Sequence, residues 1–226
     1  LRYDNVPFDT VKSFEQISVL NKRLTALLVT TQLPISNIKE YVAYARANPG
    51  VLNFAASGEG TNDHFAGAML MKATNTQLHF IHYKTSSVGY ADFLAGRVHM
   101  MSIPYDAGGA YTSIVKTGKA RNIGTTTQQR SPMAPEVPTL QEQGVAGYEM
   151  GSFLGIYATG KTPAPIVNKL HAEVVKASKL PDLRKQIGDG SIIVASTPQE
   201  FKRAVLEHED RFRKLAQELN INLREN

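Results

Sequence analysis

The sequence predicts an α/β fold: a parallel sheet with helices on both faces, divided into two lobes. Two observations carry this expectation. Short apolar runs of strand length alternate with helical patterns between residues 38 and 125, the βαβα order that builds parallel sheets. Two long extended segments, near Leu27 and near Phe153, flank that region. They read as hinge strands with a middle domain inserted between them, an arrangement that commonly holds a ligand cleft.

The elements follow in order. Residues 17–29 read as one extended run. Ser36 is the expected cap of a helix that stops near Asn48-Pro49-Gly50, with Ile38, Tyr41, Val42 and Ala45 on its apolar face. Residues 52–56 form a short apolar strand. The turn Ser57-Gly58-Glu59-Gly60 comes next, then a helix capped by Thr61 or Asn62 and running to about Thr74. Strands at 78–82, 98–103 and 121–125 alternate with helices at 87–95 and 109–116, the last ended by Gly118. Residues 128–138 carry three prolines and have loop composition. A short helix at 139–143 and an extended run at 148–159 follow. The remainder reads as helices at 164–180 and 181–187, a strand at 192–195 and a long helix at 198–219. Thr197-Pro198 opens that last helix as cap and first residue. Its stripe of Phe201, Val205, His208, Phe212 and Leu215 reads as a core face.

Composition excludes several function classes. With 226 residues, 42% hydrophobic and 20% charged, the chain is an ordinary globular sequence. No apolar run approaches the ~18 residues of a membrane span. The formal charge of +5 is spread along the chain, densest at Lys22-Arg23 and at residues 211–214. That describes a diffuse field that collects anions, not a nucleic-acid stripe. There is no cysteine, so disulfides, thiol catalysis and zinc–thiolate sites are excluded. His79 and His82 face opposite sides of a strand, and the six histidines form no motif with metal-ligand spacing. Ser57 lies in no nucleophile elbow. Glu59, Asp63, Asp92 and Asp106 form no acid/base pattern. We therefore expect no catalysis, no metal and no cofactor. The chain opens on Leu1 rather than methionine, which leads us to expect a processed or shortened form.

What remains is an anion site. In the turn after residue 56, glycines let the backbone approach a ligand, and the first N–H groups of the next helix have no partner within it. The helix dipole adds about half a positive charge there. The turn has neither the lysine ending of a P-loop nor the dinucleotide fingerprint, so a small carboxylate suits it better than a nucleotide. The competing reading is a tight connection with no ligand. His64, in the first helical turn, is either a capping histidine or a donor facing the cleft. Two further polar turns follow strands: Tyr83-Lys84-Thr85-Ser86-Ser87, and Pro104 to Gly109. In a parallel sheet all three meet at one edge, where ligands of open α/β sheets sit.

Several segments in order resemble the periplasmic solute receptors of tripartite tricarboxylate transporters, the Bug-type receptors. They include Val6 to Phe14, Ala45 to Gly50, the Ser-Gly-x-Gly-Thr-x-x-His core at 57–64, and His82-Tyr83-Lys84. Leu94 to Val98, Ile114 to Lys119, Arg130-Ser131-Pro132, Pro135 to Leu140, Gly147-Tyr148-Glu149, Gly155 and Thr162 to Leu170 continue the match. The resemblance covers essentially the whole chain. It implies a periplasmic-binding-protein-like fold of type II, the Venus flytrap, with the first units of lobe one lying outside this chain. Residues 1–30 and 150–226 would form lobe one, and 31–149 lobe two.

The resemblance also implies a non-enzymatic receptor for a di- or tricarboxylate, an amino acid or an aromatic acid. Such a receptor is periplasmic and delivers its ligand to membrane permease subunits; some members feed a sensor kinase. A phosphate-site enzyme is the remaining alternative. By the same resemblance Ser57, Gly58, Gly60 and Thr61 hold one carboxylate. His64, Tyr83, Lys84 and Ser86 would line the same lobe, with Asp106 and Phe153 as further contacts. Phe153 competes with a reading as a packed core aromatic. Two departures stand out. Glu59 replaces a common Asn, placing a carboxylate where it would repel an anion unless protonated, turned away or paired. Pro104 to Gly109 replaces a turn that usually has Phe-Asp after Met, with Asp106 a shifted counterpart.

Overall fold

The computed structural model describes residues 8–9, 11–105, 109–130, 135–183 and 191–221. The run expected as one strand at 17–29 is two: β1 (Phe14–Arg23) and β2 (Thr25–Thr30). The break is a single buried residue, Leu24, whose carbonyl accepts from the N–H of Tyr105 (2.7 Å). The two halves then pair in different sheets.

After β2 come α1 (Ile38–Ala47), β3 (Asn53–Ala56), α2 (Asn62–Thr74), β4 (His79–His82), α3 (Ser86–Leu94), β5 (Met100–Pro104), α4 (Ala110–Lys116) and β6 (Ala120–Thr125). Asn37, not Ser36, caps α1, its side chain accepting from the N–H of Glu40. The five-stranded sheet has the order β4-β3-β5-β2-β6. β3 is parallel to β4 and to β5. β2 is antiparallel to β5 and to β6. The expected parallel sheet is thus mixed: β2 enters from the neighbouring sheet and runs against the others. Alternation along the strands sends Leu27, Val29, Phe54 and Met100 to one core with α1 and α2, and Ala26, Leu28, Ala55 and Met101 to another with α3 and α4. Helices therefore cover both faces, as expected.

The expected helix at 139–143 is a hydrogen-bonded turn. Thr139 Oγ1 accepts from the N–H of Glu142, and the Glu142 carboxylate accepts from the N–H of Thr139 (both 3.0 Å). Gly144, with φ 95°, ends the turn before it can propagate. β7 (Ser152–Thr159), α5 (Ala164–Ala177), β8 (Ser191–Ile193) and α6 (Pro198–Glu218) complete the chain. Only the first three residues of the helix expected at 181–187 lie within the described residues. β1 is the centre of a three-stranded sheet, antiparallel to β7 and β8.

Thr197 and Glu200 form a reciprocal capping box at the start of α6. Phe201, fully buried, lies over Gly155 so closely that a Cβ there would stand 2.2 Å from its ring. Further along α6, Phe212 meets Phe65 of α2 edge-on at 4.8 Å. One helix thus packs on the three-stranded sheet and on a helix that covers the five-stranded one.

Candidate functional site

A cavity of about 190 Å³ opens where β3, β4 and β5 end. β3 and α2 supply Ala55, Ala56, Ser57, Asn62, Asp63 and Ala66. The stretch after β4 supplies Tyr83, Ser86, Gly89 and Tyr90. Thr25, Ser102, Pro104 and residues 150–152 close the wall. Of the three polar turns predicted to converge, those after β3 and β4 meet here with Pro104 at the end of β5, at the position ligands take in open α/β sheets; residues 106–108 of the third lie outside the described residues. The pattern behind Thr25 and Ser102 is simple. Each lies at the α2-facing parity of its strand, Thr25 first in β2 and Ser102 midway along β5, where a polar residue follows the apolar Leu27 and Met100 of the same parity.

The turn at 57–61 is built by its glycines. Gly58 and Gly60 have φ of 113° and 71°, values that suit residues without a Cβ. Its hydrogen bonds turn inward. Thr61 Oγ1 donates to the Gly58 carbonyl (2.6 Å), so Thr61 caps α2 by position without a side-chain bond to the helix. The N–H of Gly60 donates to His64 Nδ1 (3.1 Å). The N–H and the hydroxyl of Ser57 both donate to Asp63 Oδ2 (2.7 Å each). Ser57 Oγ, its proton committed to Asp63, accepts from Ser86 Oγ at 3.1 Å. Two backbone donors expected to meet a ligand carboxylate are therefore used by the chain's own side chains.

His64 is buried beside His82, ring centroids 5.1 Å apart. Burial first, and His82 second, lower its pKa against the opposing pull of Glu59 and Asp63. The imidazole is held neutral, as an acceptor at Nδ1 requires. Tyr83 donates to Asp92 Oδ2 (2.9 Å), and Asp92 Oδ1 accepts from Arg97 Nε (2.8 Å). Burial and the Asp92 bond push the Tyr83 phenol up to about 12. Arg97, then Tyr83, holds the Asp92 carboxyl below its usual range. Tyr83 is thus a fixed, protonated group on the cavity wall.

Of the residues singled out in the sequence, Ser57, Tyr83 and Ser86 come together on the wall. Gly58, Gly60 and Thr61 shape the turn behind it. Glu59 and His64 instead border a separate hollow with Lys72 and Glu218. Lys84 is exposed and off the wall. Phe153 packs edge-on against Phe201 (5.9 Å) and His208 (5.2 Å). It borders a neighbouring basic hollow with Arg23 and Arg211, which shares residues 150–152 with the first cavity. Asp106 lies outside the described residues. Sequence reasoning passed over Asp63 as a wall residue. Its signal was present: an acid in the first turn of α2, within reach of the glycine turn. Among the described residues no group of three or more His, Asp or Glu could hold a metal ion.

Over residues 1–221 the chain matches the family described as tripartite tricarboxylate transporter family receptor. The UPF0065 protein in the tcbD-tcbE intergenic region of Pseudomonas sp. (strain P51) is 32% identical over 222 residues, 97% of this chain. The chain spans 65% of that relative's length, a little under two thirds. Among solved structures, R. palustris Rpa4515 with adipate superposes with a TM-score of 0.87 at 26% identity, covering 97% of this chain and 73% of that one. The periplasmic binding protein BugD superposes at 0.83 with 25% identity, covering 97% and 74%.

Proposed function

The chain belongs to the tripartite tricarboxylate transporter receptor family, and on that premise we propose that it captures a small organic carboxylate in the cavity at the ends of β3, β4 and β5. The family is one of solute-binding receptors rather than enzymes, and its fold is the two-lobed, flytrap-like α/β fold of periplasmic binding proteins. In this reading residues 31–149 form one lobe and residues 1–30 with 150–226 the other, β2 crossing from the second into the sheet of the first. The receptor works in the periplasm and hands its ligand to the permease subunits of a tripartite tricarboxylate transporter.

One observation carries the reading. The cavity lies at the ligand position of open α/β sheets, lined by hydroxyls and small residues with Tyr83 fixed beside them, in a chain whose structural relative was solved with adipate. Thr25 and residues 150–152 bring the two chain crossings to the same wall, so closing one lobe on the other would shut it.

A thermal-shift screen tests this with adipate and other C4 to C6 dicarboxylates, citrate, acidic amino acids and aromatic acids. A ligand that binds only the folded state stabilises it by about 2.7 kcal/mol at a concentration 100 times its Kd. We expect at least one acid to raise the melting temperature at millimolar concentration or below. A protein that ignores every acid but responds to a sugar phosphate or a nucleotide would return the phosphate-site reading.

A further inference from the structure

We propose that among small carboxylates this receptor selects those that also carry an ammonium group, and that Asp63 is the residue that selects them. This rests on the reading of the cavity as a carboxylate site. Among the described residues on the wall, Asp63 is the only charged side chain. Its place is fixed from two sides. Oδ2 accepts both protons of Ser57, at 2.7 Å each, and Oδ1 accepts the N–H of His64 at 3.2 Å.

Two consequences follow. The Ser57 donors that would meet a ligand carboxylate are already bonded to a carboxylate. A second anion brought there would find a like charge in a half-enclosed site, where water screens poorly. Asp63, for its part, has room for more. An ionised carboxylate offers roughly four lone-pair sites, and three bonds are made within the chain. The remaining site suits an N–H of a cation, and charge-assisted bonds of this kind are the stronger sort. The Tyr83 ring on the same wall adds an aromatic face that a cation also favours. The ligand's carboxylate then belongs elsewhere on the wall, toward the uncharged polar side of Thr25, Ser102 and Ser152. A dicarboxylate satisfies only that second half.

Matched pairs separate the two cases: L-2-aminoadipate against adipate, and L-glutamate against glutarate, each titrated by calorimetry. We expect an amino member to bind about tenfold or more tightly than its partner, as a charge-assisted contact allows. In Asp63→Asn, which keeps the shape and an acceptor but not the charge, that ratio should fall close to one. A loss of folding alone would weaken both members together and leave the ratio intact. Asp63→Ser supplies a second variant if Asp63→Asn does not fold, and the wild-type comparison needs neither. Adipate or glutarate binding as tightly as its amino partner, or a ratio unchanged in a variant that still melts cooperatively, would overturn the assignment while leaving the carboxylate receptor standing. If no acid of the broader screen binds, the receptor reading itself fails, and this assignment fails with it.

Discussion

The two sheets are stabilised in different ways. In the five-stranded sheet, β2 is buried from Ala26 to Thr30 and both faces are covered by helices. In the three-stranded sheet, β7 leaves Leu154, Ile156 and Tyr157 exposed, and α5 leaves Ile166 and Leu170 exposed. The first region owes its shape to many mutually buried side chains, each replaceable only at the cost of a hole. The second is built around β1, paired along its length with β7, and α6, whose Phe201 lies over Gly155 with no room for a Cβ. The cavity proposed to hold the ligand sits on the first region and borrows only its edge from the crossing strands. A site that must keep its geometry is built on the better-packed part.

The largest expected effect breaks the first region. Phe54→Ala removes a fully buried ring from between β3 and α2 and should cost about 3–5 kcal/mol in a denaturant melt. A loss below 1 kcal/mol would mean the core can collapse around the hole, and the contrast between the regions would lose its basis. The next targets the second region. Gly155→Ala places a methyl group against the buried Phe201 ring and should cost about 1–3 kcal/mol. Hydrogen exchange should then rise in β1, β7 and α6 before it rises in β3 and β5. Equal exchange in both sheets would show that they unfold as one body.

The smallest effect sharpens the comparison through pH. Burial lowers the pKa of His64 in the first region and of His208 in the second. Each histidine binds its proton more readily in the unfolded chain, so stability rises with pH. The contribution is complete above the unfolded value near 6.5 and is lost as pH falls below it. The melting temperature should therefore drop from pH 7.5 to pH 5.5. In His64→Gln that slope should flatten in part, with His208 and His99, whose pKa burial also lowers, supplying the rest. An unchanged slope would place the titration elsewhere.

Much of this was legible in the chain. α6 begins where the Thr197 capping box places it, because caps act locally, and α2 begins after Thr61, one of its two expected caps, although the Thr61 side chain bonds the turn rather than the helix. The convergence of three strand ends followed from βαβ order alone. The break at Leu24 was not legible: residues 17–20 and 26–29 are both strand-like, the polar Asn21-Lys22-Arg23 between them suits an exposed stretch of one strand as well as the end of one, and only the competition of two sheets cuts the run. The turn at 139–143 carries a cap signal at Thr139 and Glu142 but has no room for a second turn before Gly144. At the site, the residue types of the glycine turn were correct, yet their hydrogen bonds point inward. Whether Ser57 faces a ligand or Asp63 depends on a side chain six residues away, and the periodicity of the sequence says nothing about which way that chain turns.

The bond from Ser57 to Asp63 bears on how this turn meets the fluid around it. An anion tied to the chain six residues away is present at a far higher local concentration than any dissolved one. Chloride, phosphate or sulfate arriving from solution finds this turn already occupied, and the occupant cannot be diluted out. The resting shape of the turn should stay the same from dilute buffer to concentrated salt, and common inorganic ions should not act as weak competitors there. On the proposed function, that corner of the pocket is already set before any solute arrives.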